Sequence, residues 1–159
     1  MLQLPLLQER SGIKHKLYTV QEALDAYSEP ELVHYDAEPC ARCGNTAFWK
    51  ADTATLTPDV LVLCVKRWAD PEEPLLHPVE VTDAVTFQSV TYSLRAVVVH
   101  LGDSIHAGHY ITIAKHAAKN GTWWLYDDGV RKEATEEQRR TLCKYGIRTM
   151  KSYLMVYEK

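Results

Sequence analysis

Two stretches of this chain carry residue types that can do chemistry. The first is Gly108-His109-Tyr110, followed by Trp123-Trp124-Leu125-Tyr126-Asp127-Asp128. Gly102 and Gly108 bracket a mostly polar loop, and glycines there permit positive φ and close backbone approach. A histidine just past such a loop is placed to face a cleft. Lys115 to Gly121 reads as a polar hairpin connection, which makes the strands bearing His109 and Asp127 neighbours. Asp127 can then hold one ring nitrogen of His109 while the other exchanges a proton. Thiol-dependent acyl transfer needs a thiolate, a histidine and a group that orients the histidine. Taken alone, His109 also reads as a loop-end histidine bonded to a backbone carbonyl. The second stretch is Cys40-Ala41-Arg42-Cys43, whose spacing supplies half of a tetrahedral zinc site. His34 is close enough in sequence to be a third ligand, and no fourth is evident. Two reduced cysteines in a hairpin is the plainer reading.

These groups need strands to hold them. Leu94, Ala96, Val98 and His100 alternate with Arg95, Val97, Val99 and Leu101, and most positions of both sets are apolar. That pattern predicts a central strand covered on both faces. Val60 to Trp68 is a second apolar strand, with Lys66-Arg67 as a solvated end. Met1 to Leu7, interrupted by Pro5, reads as an edge strand, and Ser11-Gly12 as a turn. Thr19 with Glu22 makes a capping box for a helix whose face is Val20, Leu24 and Tyr27, ended by Pro30. Asp70 to Pro78 is a loop, Val79 to Val90 contains another strand, and Val130 to Lys132 is extended. Thr135 caps a helix over Glu136 to Tyr145, stopped by Gly146. Ser152 to Tyr157 closes the sheet. The expected fold is α+β, a mainly antiparallel sheet with two or three short helices. Trp123, Trp124 and Tyr110 read as core or cleft wall, His100 as structural and His106 as exposed.

With 159 residues the chain can bury one sizeable core. A net charge of -3 argues against nucleic acid as an electrostatic partner. No apolar run is long enough to span a bilayer, and the start lacks a basic region followed by an apolar core. Four irregularly spaced cysteines indicate a reducing compartment, so the expected location is cytoplasm or nucleus.

His100, Gly102, Gly108-His109-Tyr110 and the Trp-x-x-Tyr-Asp-Asp run resemble the histidine box of ubiquitin-specific proteases, which are papain-like cysteine peptidases. Val60 to Trp68, preceded by Pro58, resembles that family's Pro-x-x-Leu…Leu-Lys-Arg-Phe strand. Tyr153-Leu154-Met155-Val156-Tyr157 resembles its closing Tyr-x-Leu-x-Tyr strand. Leu17 to Leu32, with Glu31, resembles the short helix ahead of its second Cys-x-x-Cys. The ordered set covers nearly the whole chain.

The resemblance implies a division into finger strands and a short helix over 1–68 and a palm with the histidine box over 69–159. It implies His109 as general base and acid, Asp127 as its orienting partner, Asp128 as an assisting acid, and Gly108 and Tyr110 as substrate-binding. It matches Cys40 and Cys43 to the second of two knuckles holding a structural zinc. The first knuckle is expected ahead of Leu2-Gln3-Leu4-Pro5-Leu6, so it is missing here. Gly44-Asn45-Thr46-Ala47 looks like the cysteine box with alanine in place of the nucleophile, but the distances to Pro58 and Lys66-Arg67 place it in the fingers instead. No cysteine lies behind a Gly-Asn-x sequence at a helix start, where the dipole would favour a thiolate. The expected function is therefore part of a deubiquitinase, without its nucleophilic lobe and inactive alone, with ubiquitin or a ubiquitinated protein as partner. The alternative is an inactive module that binds ubiquitin or another partner.

Overall fold

A computed structural model describes residues 1–10, 12–34, 38–67, 75–104, 107–116, 121–144 and 150–159. In chain order the elements are β1 (Leu2–Leu4), β2 (Leu7–Arg10), β3 (Ile13–Lys16), α1 (Val20–Ser28), β4 (Glu31–His34), β5 (Ala47–Lys50), β6 (Val60–Val65), β7 (Ala84–Phe87), β8 (Val90–Ser104), β9 (Ala107–Lys115), β10 (Trp123–Asp127), β11 (Val130–Glu133), α2 (Glu136–Lys144) and β12 (Met150–Glu158). One sheet of eight strands runs β1-β6-β12-β8-β9-β10-β11, with β7 also paired to β8. Its pairings are antiparallel except β1 with β6. This is the expected α+β arrangement. β1 and β6 belong to the same sheet as the later strands, while hairpins β2–β3 and β4–β5 form two small sheets of their own.

β8 is the central strand, as the alternation predicts. β12 pairs along one side of it, and β7 then β9 along the other. Its inward positions change parity along its length: Tyr92 and Leu94 are buried, then Val97 and Val99. The register with β12 steps from Leu94 opposite Tyr157 to Ala96 opposite Val156, so Arg95 is an extra residue that turns the following side chains over. The expected covering of both faces is complete on one face and partial on the other, where His100 is buried. Val97 and Val99 are fully buried, but Ala96 and Val98 on the reverse are half-buried. The reason is that buried residues of both helices, Val20, Ala23 and Leu24 from α1 and Leu142 and Cys143 from α2, join the same core as Val97 and Val99.

Local signals act as expected at the helices. Thr19 Oγ1 accepts from the Glu22 backbone N–H, and Glu22 returns a bond to the Thr19 N–H. Thr135 and Gln138 make the same reciprocal pair ahead of α2. The expected stop at Gly146, the expected exposure of His106 and most of the loop expected after Trp68 fall outside the described residues.

Arg67 overturns its expected place at a solvated strand end. It is completely buried. Its Nε donates to the Ser152 carbonyl at 2.9 Å, and Nη1 donates to the carbonyls of Leu75 at 3.0 Å and His77 at 2.9 Å. Burial pulls the guanidinium down to about 10, still charged at neutral pH. A cation can be buried here because several main-chain dipoles replace its water. The side chain ties the end of β6 to β12 and to the segment that follows. Arg67→Met removes donors from these carbonyls and is expected to cost about 3 kcal/mol, read as a shift of the urea unfolding midpoint. A loss under about 1 kcal/mol would show that these carbonyls find other partners.

Candidate functional site

β9 and β10 are antiparallel neighbours, with Ile113 opposite Leu125 and Thr112 opposite Tyr126. Strand alternation puts His109, Ile111 and Ile113 on one face of β9, and Leu125 and Asp127 on the same face of β10. Ile111 and Leu125 are buried, so this is the core face, and His109 and Asp127 lie at its rim. They form a diagonal pair, one step beyond the directly opposed position. His109 Nε2 lies 2.5 Å from Asp127 Oδ1, with the two side chains 40% and 49% exposed. Nε2–H is thus the nitrogen that donates to the carboxylate, and Nδ1 is left to exchange a proton with a reactant.

Asp128 completes the cluster from the turn after β10. Asp127 pairs with Val130, so Asp128-Gly129 is the whole turn of the β10–β11 hairpin. Asp128 adopts φ 47°, a left-handed conformation that a short polar side chain tolerates. Donor atoms of His109, Asp127 and Asp128 all lie within 4.8 Å of one another. The hydrogen bond to Asp127 is the main cause of a raised His109 pKa, and the charges of Asp128 and Asp127 add to it. The arrangement favours an imidazolium and fixes its orientation.

Gly108 and Tyr110 flank His109, and alternation turns them to the opposite face. There the Tyr110 ring sits 4.8 Å from His100 and 5.8 Å from Tyr153, and Tyr110 remains half exposed. His100 is buried, as expected of a structural residue. A Cβ on Gly108 would fall 2.0 Å from His100 Nε2, so only glycine lets the start of β9 lie on that ring. Gly102 has φ 137°, and a Cβ there would meet the Gly108 Cα at 3.2 Å.

The cysteines sit elsewhere. Cys64 is on β6, three strands from β9 in the sheet order, or roughly 14 Å away at the usual strand spacing. Burial raises its thiol pKa. Cys143 is buried in α2, and burial pushes its thiol up to about 11. Cys40 and Cys43 lie between β4 and β5. Backbone N–H groups of Arg42 and Cys43 aim at the Cys40 sulfur and lower its pKa, with Cys43 itself contributing less. Such N–H groups suit a metal-binding thiolate. Among the described residues no third histidine, cysteine or carboxylate joins this pair, so His34 is not brought to it. The donors present fit half of a thiolate zinc site. Ala47 opens β5 opposite His34, in the small hairpin sheet and not beside His109.

Sequence reasoning singled out His109, Asp127 and Asp128, and the fold brings those three together. It did not find the hairpin that presents Asp128, although Asp128-Gly129 is a strong turn signal.

Comparison with known proteins gives a consistent result. The family model described as ubiquitin carboxyl-terminal hydrolase matches residues 14–157. Ubiquitin carboxyl-terminal hydrolase 23 of Arabidopsis thaliana is 26% identical over 89% of this chain and 17% of its own length. Ubiquitin carboxyl-terminal hydrolase 17-like protein 15 of Homo sapiens is 33% identical over 69% of this chain and 22% of its own. A solved SAGA DUB module bound to monoubiquitin contains a chain that aligns with a TM-score of 0.64 and 21% identity, covering 98% of this chain and 34% of that one. The chain thus spans about a fifth of the length of these curated relatives.

The dyad's electrostatics can be read by titration. A raised histidine pKa adds stability that is fully present below the unfolded histidine value and is lost as pH rises through the folded one. Asp127→Asn is expected to lower the His109 midpoint seen by NMR, and Asp128→Asn to lower it less. A midpoint unmoved by Asp127→Asn would mean that the contact does not hold in solution.

Proposed function

Since the chain belongs to the ubiquitin carboxyl-terminal hydrolase family, we propose that it supplies the base and orienting acid of a thiol-dependent deubiquitinase whose nucleophile comes from outside these residues. The carrying observation is the contact of His109 Nε2 with Asp127 Oδ1 at the rim of the core face. Nδ1 of His109 takes the thiol proton, and the imidazolium, held by Asp127, stabilises the thiolate. The thiolate attacks the carbonyl carbon of ubiquitin's C-terminal glycine. The amine leaves with the proton returned by His109, and a thioester remains. Water, losing its proton to His109, hydrolyses that thioester. Asp128 adds negative charge beside the ring. Gly108 and Tyr110 flank His109 on the exposed start of β9, where the main chain, and not their reverse-face side chains, can meet the substrate's extended C-terminal segment.

The nucleophile is the missing part. A thiol pushed up to about 11, as at Cys143, is inert near neutral pH, and Cys64 is raised too. Cys40 and Cys43 are better suited to a metal, and would hold zinc together with two ligands from elsewhere. A second reading, a module that binds ubiquitin without turnover, draws on the same observation about the cysteines.

The chain alone is expected to leave a fluorogenic ubiquitin substrate intact and to escape labelling by an electrophilic ubiquitin probe. Adding a separately expressed lobe bearing the cysteine box should restore turnover that disappears with His109→Ala. Labelling of the chain alone would identify one of its own cysteines as the nucleophile. Failure to turn over with the lobe, despite binding it, would favour the module without activity. Purified chain should hold zinc below one equivalent and lose it to a mild chelator. One tightly held zinc per chain would require donors beyond Cys40 and Cys43.

A further inference from the structure

Lys151 is 1% exposed, a rare state for a lysine. It lies on β12 opposite His100, and its Nζ donates to the Gly102 carbonyl at 2.6 Å. Removing an ammonium from water is costly, so a lysine kept here must be held by fixed partners, of which the Gly102 carbonyl is one. Gly102 stands where the β8–β9 ladder is irregular: Leu101 pairs with His109, and the next pair is Ser104 with Ala107. Ladder register therefore does not by itself fix the backbone just before His109. Side-chain contacts on the reverse face can. Gly102 packs so closely on the returning strand that an added Cβ would meet the Ala107 carbonyl oxygen at 3.0 Å and the Gly108 Cα at 3.2 Å. Gly108 in turn lies on the His100 ring.

We propose that Lys151 is a positioning residue for the proposed base: by holding the Gly102 carbonyl it fixes the ladder irregularity at Gly102, and so, through the close Gly102–Gly108 packing, the orientation of His109 toward Asp127. This rests on reading His109 as the base. The contacts form one line, from the Lys151 ammonium to the Gly102 carbonyl, across the Gly102–Gly108 backbone contact, to His109 on the other face. Lys151 touches neither reactant nor His109. Its neighbour Ser152 is held the same way, through the Arg67 guanidinium on its carbonyl. Two successive residues of β12 are thus fixed by buried cations, one reaching in from just past the end of β6 and one reaching out to β8.

The test is a histidine NMR titration of the whole chain. The charges facing His109 are Asp127 at the end of β10 and Asp128 in the turn after it. Lys151→Met should lose the fixed geometry, and the His109 midpoint should fall most of the way to the ordinary histidine value. Lys151→Arg, which keeps a cationic donor, should recover part of the displacement. If Lys151 acted through charge alone, Lys151→Met would raise the midpoint, because a nearby cation disfavours the imidazolium. A raised or unchanged midpoint would overturn the proposal. Should Lys151→Met not fold, Gly102→Ala strains the same link from its other end and should also lower the midpoint. A folded Gly102→Ala chain with an unmoved midpoint would overturn it equally. Because the midpoint is read without turnover, failure of the base assignment would show separately, as activity surviving His109→Ala in the complemented enzyme.

Discussion

The close packing of Gly102, Gly108 and the His100 ring where β8 and β9 pair is the constraint on which the site depends. β8 is fixed along one side by β12, and it returns as β9 through a backbone contact only glycine permits. Gly108 must lie on the His100 ring for His109 to emerge on the opposite face at the rim of the core. β10 then brings Asp127 to the diagonal position, and the tight Asp128-Gly129 turn adds a second carboxylate. The contact of His109 with its two carboxylates is therefore the product of one continuous three-strand unit. Their geometry needs no other part of the chain beyond the strands that hold β8 in place.

Much of this was legible because the signals are local. The alternation from Leu94 to Leu101 identifies a central strand, and Thr19 with Glu22 identifies the start of α1. The polar connection between β9 and β10 makes neighbours of His109 and Asp127. What escaped was of two kinds. The Gln88-Ser89 turn, both residues at positive φ, carries no glycine or asparagine to announce it. Arg67 and Lys151 look solvent-facing in the sequence because charge usually means exposure. Their burial depends on carbonyls brought close by distant segments, which no window of sequence contains. The inversion of parity at Arg95 is similar: an extra residue on β8 is visible only against β12.

On the proposed reading, a base and its orienting acid can be well formed and still need a nucleophile from outside these residues before any turnover occurs. A raised histidine with an oriented tautomer prepares proton transfer, but the rate in such units comes from the members acting together. The chain's thiols reinforce the point. Burial holds Cys64 and Cys143 in the neutral form, and the Cys40 sulfur is turned into backbone N–H groups.

On the proposed function, this chain provides the imidazolium for a thiolate that lies outside these residues. The direct measurement is the pH dependence of alkylation of the nucleophilic cysteine on a separately expressed lobe, with and without this chain bound. Binding of the chain is expected to move the onset of thiolate reactivity from the ordinary thiol range, about 8.5, to well below neutral, and Asp127→Asn to diminish the shift. An onset that stays in the ordinary range on binding would contradict it.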